Sequence, residues 1–416
     1  MKVIAALLLA MFLANLCPIP ARAGTEISSP PAIHGEAAIL VDVQSGQILY
    51  SKNPDEQLAP ASTTKIMTGL LAIERGKLDE LVTASPTMLD RKQVYGTRIY
   101  LDPGEQLTLG DLLYALLLNS ANDAAVAIAE HIGGNQQNFV DMMNRRAEEL
   151  GASRTHFVNP SGLNAEGHVS TARDLARIAR AAMANPVFAA YVRTKTHLVH
   201  REKAGVPVEM YNENKLLWRD SSVDGIKTGY TVQAGNCLVA SATHGNRQLI
   251  GVILKSPGSE IYPDMSALLD YGFNAFADQV YKPAGSSLDT VVIGRETINL
   301  VLSEPIYVTV PDSGGQADIR LEVARTVNNV QQINEGEVLG EVGVWQGDNL
   351  LKTLPLRADR TGVARKPVSG LISLNRSLVA FIVLLALLVL SAPQIKQQRK
   401  RRLNKRLDIR GRAVRE

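Results

Sequence analysis

The chain has 416 residues, enough for two domains with their own cores plus appendages. Its 45% hydrophobic and 20% charged content is that of a globular protein, and its net charge of +3 is unevenly spread. The segment after Pro393 carries ten Lys/Arg against two Asp/Glu, so the body is mildly acidic. That argues against nucleic acid as a partner of the body and places a basic tail at an anionic membrane surface.

In chain order, Lys2, the apolar run Val3 to Leu16 and Ala21-Arg22-Ala23 form the three parts of a secretory signal over 1–23, cleaved after Ala23. Cys17 follows Leu16 where a lipoprotein signal needs a small residue, and its removal leaves Cys237 as the one cysteine. An exported protein with one cysteine has no internal disulfide and relies on its core. Cys237 lies in an apolar run and reads as a small buried hydrophobe. Ala37–Val43 and Gln47–Tyr50 read as a β-hairpin, and a helix is predicted from Ser62 to near Gly76. Thr108 to His131 reads as two helical runs, capped by Thr108 with Asp111 and broken at Asn119-Ser120-Ala121-Asn122. A further helix spans Asn135 to Leu150, stopped by Gly151, and another runs from Thr171 and Asp174 to Asn185-Pro186. Cys237–Thr243 and Arg247–Leu254 form a second hairpin, and a helix from Glu260 to Phe276 closes this part. Strands at both ends with helices between them predict a mostly antiparallel sheet covered by helices over 30–278.

Short alternating runs between Leu288 and Leu356, separated by Gly, Pro, Asn and Asp, predict a small all-β domain over 284–357. Residues 358–376 read as a polar linker. Ser377 to Ile395 is free of charge for 19 residues, close to the ~20 that span a bilayer, and has no polar face for interfacial binding. The basic residues of 396–416 follow it directly, so this end is expected in the cytoplasm and the body outside. No metal-ligand spacing or phosphate-binding glycine loop is present, no cofactor is expected, and nothing specifies the oligomeric state.

The chemistry is expected at Ala59-Pro60-Ala61-Ser62-Thr63-Thr64-Lys65. Residues three apart on a helix share a face, so Lys65 sits beside the Ser62 hydroxyl. A lysine with a lowered pKa can take the proton that makes serine a nucleophile. Alone, this tetrad is far more often an N-cap serine with a solvated lysine. It gains weight from Ser120-Ala121-Asn122 and Lys227-Thr228-Gly229, which follow in that order.

Together, Ser62-x-x-Lys65, Ser120-x-Asn122 and Lys227-Thr228-Gly229 resemble the serine-type D-alanyl-D-alanine carboxypeptidases of peptidase family S11, the low-molecular-mass penicillin-binding proteins. The likeness extends to the Asn159 to Leu163 loop with His168 and Thr171, the β-domain and the membrane-attached end. It implies a β-lactamase/DD-peptidase-like α/β fold, a C-terminal β-sandwich and a C-terminal transmembrane helix. It also implies peptidoglycan pentapeptide stems as substrate and β-lactams as inhibitors. Ser62 would be the acylated nucleophile and Lys65 its base; Ser120 would relay protons to the leaving group. Asn122 would hold the substrate's amide, Lys227 and Thr228 its terminal carboxylate, and Gly229 would allow close approach. The backbone N–H groups of Ser62 and Tyr230 would form the oxyanion hole. His168 before a capped helix reads as structural, with a part in the site left open.

Three rivals share the motifs. A class A β-lactamase needs a Glu-x-x-Leu-Asn loop, and Glu213-Asn214-Lys215-Leu216-Leu217 lacks its Asn and lies too near Lys227. A β-lactam sensor needs a cytoplasmic output domain, for which the 21 residues after Ile395 are too few. An endopeptidase or transpeptidase would use the same acyl-enzyme, and the motifs do not separate it.

Overall fold

The structure, a computed structural model, describes residues 29–316, 318–326 and 332–363. The predicted signal over 1–23, the segment 377–395 and the basic tail lie outside them. Among the described residues no helix is long and apolar enough to cross a membrane.

One sheet organises the body. Its strands are β1 (Ala37–Asp42), β2 (Ile48–Lys52), β3 (Val223–Thr231), β4 (Gly235–His244) and β5 (Arg247–Ser256), in the spatial order β2-β1-β5-β4-β3. Every neighbouring pair is antiparallel. His244 pairs with Arg247, so Gly245-Asn246 makes the two-residue turn that the sequence marks. Side chains alternate across the sheet as a period of two requires. Ile39, Val239, Val252 and Leu254 enter one apolar cluster, whereas Leu40, Leu238, Ala240 and Ile253 enter another.

The larger cluster is covered by α1 (Lys65–Arg75), α2 (Leu109–Leu117), α3 (Asn122–Gly133), α4 (Gln136–Glu149), α5 (Ala172–Met183) and α6 (Pro186–Arg193). The smaller lies under α7 (Lys215–Arg219) and α8 (Ile261–Ala275). Helices on both faces explain why β4 and β5 read as almost unbroken apolar runs. The first eight residues of α1 are all buried, Lys65 among them. Thr108 and Thr171 cap α2 and α5 by accepting from the Asp111 and Asp174 amides, each at 3.0 Å.

From Phe276 to Val363 the described residues contain strands and no helix. The strands begin earlier than the sequence suggests, because α8 stops at Ala275 and β6 (Phe276–Lys282) starts at once. They continue through β7 (Ser287–Ile293), β8 (Glu296–Leu302), β9 (Ile306–Pro311), β10 (Arg320–Arg325), β11 (Gln332–Ile333), β12 (Val338–Gln346), β13 (Asn349–Ala358) and β14 (Gly362–Val363).

The chain divides into two compact units. One takes in the described residues to Asp289 with Leu300–Thr326 and Val338–Arg357; within it β6 pairs with β9, and β12 pairs with both β10 and β13. The other takes in Thr290–Asn299 and the described residues of 327–337 and 358–363. There β11 pairs with β14, so the start of the expected 358–376 linker is ordered by a ladder and by the Asp359 carboxylate on Asn299. Ladder bonds need no apolar signature, so the polar composition of 358–363 did not reveal it.

Candidate active site

Ser62 stands in a turn of 3-10 helix, Ala61–Thr64, that runs directly into α1. Side chains three apart eclipse in this tighter helix, which stacks Lys65 against Ser62 more directly than the α-helix expected from the sequence. The Lys65 Nζ lies 2.9 Å from the Ser62 Oγ. It also donates to the Asn122 Oδ1 at 2.7 Å and the Ser161 carbonyl at 2.6 Å. Lys65 is fully buried, and desolvation, reinforced by the nearby Lys227 charge, drives its pKa well below the usual lysine value; Glu213 and Asp123 oppose this. In the neutral amine one lone pair replaces a donor, so the Ser62 hydroxyl can donate to Nζ across the same contact.

The Ser161 carbonyl is aimed by its own loop. The Asn159 side chain accepts from the Ser161 and Gly162 amides and donates to the Leu163 carbonyl, an Asx-type turn. Gly162, at φ +83°, lies so close to the nucleophile's turn that an added Cβ would sit 1.9 Å from the Ala61 carbonyl oxygen. Thr68 donates to the Pro160 carbonyl and locks the loop to α1. His168 is buried, with its pKa lowered to about 4, chiefly by desolvation. Its Nδ1 accepts from the Val158 amide, which leaves the Nε2–H to donate to the Thr64 Oγ1 at 2.9 Å. It braces the turn beneath Ser62 as a neutral donor, and among the described residues it has no hydrogen bond to Lys65 or Ser62.

Ser120 occupies the break between α2 and α3 with φ +59°, a conformation that costs about 1–3 kcal/mol for a residue other than glycine. It is buried, and its hydroxyl has no hydrogen-bond partner among the described residues. Neither Ser120 nor Asn122 caps α3 with its side chain. Asn122 instead spans the site, its Oδ1 on Lys65 and its Nδ2 donating to the Tyr95 carbonyl at 2.6 Å.

The third motif sits in the middle of β3, at the sheet edge facing the Ser62 turn. An edge strand offers free backbone groups for an extended peptide to pair with. Gly229 is the point of closest approach: an added Cβ would lie 2.8 Å from the Ser62 amide nitrogen. The glycine therefore admits the Ser62 turn itself, a tighter demand than room for a ligand. Tyr230, next along β3, exposes 64% of its surface. Lys227 is buried; it donates to the Thr228 carbonyl at 3.1 Å, and its Nζ lies 3.8 Å from the Glu213 carboxylate. Desolvation lowers its pKa, and Glu213 works against that shift. The Thr228 hydroxyl donates to the same carboxylate at 3.3 Å.

The structure thus brings Ser62, Lys65, Asn122 and the third motif together through these contacts, and adds Ser161, Tyr95 and Glu213. Two of these act through backbone carbonyls, which carry no residue signature; Glu213 alone had a readable charge. Cys237 is buried opposite Gly229 in the ladder, its thiol toward the Ala59 carbonyl at 3.8 Å and pushed up to about 11 by burial. Among the described residues no cluster of three metal-ligating side chains occurs.

A buried lysine within hydrogen-bond distance of a serine, at the head of α1 beside a sheet edge, is an arrangement suited to serine acyl transfer. Residues 24–258 match the D-alanyl-D-alanine carboxypeptidase family of S11 peptidases. Residues 279–363 match the C-terminal domain of penicillin-binding protein 5. A D-alanyl-D-alanine carboxypeptidase of Bacillus subtilis, DacF, is 32% identical over 377 residues, covering 89% of this chain and 93% of its own. One from Haemophilus influenzae, DacA, is 34% identical over 338 residues, covering 77% of this chain and 83% of its own. The crystal structure of Haemophilus influenzae penicillin-binding protein 5 matches with a TM-score of 0.65 at 30% identity, over 80% of this chain and 99% of that one. The chain belongs to the serine-type D-alanyl-D-alanine carboxypeptidase family.

Proposed function

We propose that this enzyme removes the terminal D-alanine from peptidoglycan pentapeptide stems through an acyl-enzyme on Ser62. The observation that carries this reading is the buried Lys65 amine, 2.9 Å from the Ser62 hydroxyl and depressed in pKa. Neutral Lys65 takes the hydroxyl proton as Oγ attacks the carbonyl carbon of the penultimate D-alanine. The oxyanion forms against the N–H groups of Ser62 and Tyr230. Collapse breaks the C–N bond, and the leaving amine of D-alanine takes a proton from Lys65 by way of the unpartnered Ser120 hydroxyl. Water then attacks the ester carbonyl and gives a proton to Lys65; collapse breaks the C–Oγ bond, Lys65 passes that proton to the Ser62 Oγ, and the shortened stem leaves as its free acid. Asn122 orients the acyl amide, and Lys227 with Thr228 binds the terminal carboxylate by charge-assisted hydrogen bonds. No cofactor or metal enters these steps. The full-length protein in detergent, given a muramyl pentapeptide, is expected to liberate one free D-alanine per stem. Cleavage of cross-linked dimers with no free D-alanine would make it an endopeptidase instead.

The sequence supports a single-pass topology, with a cleaved export signal over 1–23, a span over 377–395 and the basic tail in the cytoplasm. Such an anchor would hold a wall-trimming body at the outer face of the cytoplasmic membrane, and a β-sandwich after it would act as a spacer. Protease added to intact spheroplasts is expected to digest the body and spare an epitope placed after Glu416. Loss of the epitope with the body protected would reverse the topology.

A further inference from the structure

Glu213 stands where the proposed substrate carboxylate must bind. Its carboxylate accepts from the Thr228 hydroxyl at 3.3 Å and lies 3.8 Å from the Lys227 ammonium. Its mount is rigid. The Glu213 amide donates to the Leu118 carbonyl, beside the Ser120 break. The flanking asparagines are buried and saturated: Asn212 donates to the Val192 and Thr194 carbonyls, and Asn214 donates to the Gly225 carbonyl and caps α7. The Trp218 indole fixes the Asn212 carbonyl. Glu213 itself leaves 43% of its side chain exposed, so the carboxylate can turn toward solvent while its backbone stays in place. Lys227 cannot follow, because its side chain is buried.

We propose that Glu213 is a specificity-determining residue whose carboxylate occupies the anion site at rest and must be displaced by the terminal carboxylate of an incoming substrate or β-lactam. This rests on Lys227 and Thr228 being that anion site. The Thr228 hydroxyl has a single proton to donate and now gives it to Glu213, so a ligand carboxylate that takes this donor does so by exchange. After exchange, Glu213 remains at the rim as a negative charge within a few ångströms of the ligand. It therefore weakens every anionic ligand and leaves neutral ones untouched. In the empty site the same carboxylate keeps two lysines supplied with a counter-charge, since it opposes the lowering of both the Lys65 and Lys227 pKa values.

Glu213→Gln removes the charge and keeps an acceptor for Thr228. In the full-length protein it is expected to lower KM for an acyl-D-Ala-D-Ala tripeptide by about five- to tenfold, the scale of one nearby charge in a partly solvated cleft. Compared where Lys65 is neutral in both proteins, because Glu213 also raises the Lys65 pKa, kcat should change by less than about threefold, and KM for the C-terminal amide of the same tripeptide should not move. Acylation by dilute benzylpenicillin should quicken by the same factor. An unchanged or higher KM for the free acid would overturn the proposal, because Glu213 would then be idle or would orient Lys227 for its ligand. An equal fall in KM for acid and amide would also overturn it, since steric relief would explain both. Lys227→Ala is the separate control: if it leaves kcat/KM on the free acid unchanged, the anion site itself is misplaced, whatever Glu213→Gln does.

Discussion

Penicillin is expected to add once to the full-length protein, and Ser62→Ala is expected to abolish that adduct in an intact-mass measurement. Hydrolysis of the pentapeptide should fall on the order of a million-fold, the scale on which a serine hydrolase loses its nucleophile. An adduct that survives the substitution would remove Ser62 from its role. Lys65→Met should come close to the same loss, since it leaves the hydroxyl without its acceptor and keeps the volume of the buried stem. The two variants separate by stability. A lysine whose folded pKa lies below the unfolded 10.5 binds fewer protons in the native state, so this group's contribution to stability rises with pH between those two values. Lys65→Met should therefore be at least as stable as the parent near neutral pH and should lose that part of the pH slope. Ser62→Ala should keep the slope. A Lys65→Met protein that melts earlier at neutral pH would mean that its hydrogen bonds to Asn122 and Ser161 contribute more than its burial costs.

The Ser62–Lys65 pairing was legible because residues three apart on a helix share a face, and the structure brings Nζ to 2.9 Å from Oγ. The sheet was legible from the apolar runs of β4 and β5, and α2 and α5 from their caps. What escaped has physical reasons. Ser161 and Tyr95 act through their carbonyls, and any residue has one. The Asx turn at Asn159 was visible as a polar loop, but nothing local says that it points a carbonyl at an amine 96 positions away in sequence. Ser120 was read as part of a break between two helices, and its left-handed backbone is a tertiary outcome that composition does not encode. Gly229 was assigned to substrate access, and the structure adds a stricter cause, contact with the Ser62 turn. Glu213 was read only as a failed match to another enzyme's glutamate. Its place beside Lys227 needed the asparagine mounts that hold it there.

Lys227→Ala is expected to act on two quantities that can be measured apart. Lys227 and Thr228 are proposed to bind a free α-carboxylate, which exists only at a chain end. Removing one partner of a desolvated charge-assisted contact costs about 2–5 kcal/mol. That converts to roughly 30- to several-thousand-fold in kcat/KM on the free-acid pentapeptide. The Lys227 charge also lowers the Lys65 pKa, so its removal raises that pKa and moves the acid limb of acylation to higher pH. At a fixed pH on that limb both effects would lower the rate, and an amidated substrate would suffer from the second. The comparison therefore belongs on the alkaline plateau, where Lys65 is neutral in both proteins. There the free acid should lose the full factor, and the C-terminal amide, already a poor substrate, should change by less than about threefold. Equal plateau losses on acid and amide would make Lys227 a structural residue or a member of the proton path, and preference for a chain end would have to come from elsewhere in the cleft. A free-acid loss with no shift of the acid limb would keep the anion site and place Lys227 too far from Lys65 to tune it.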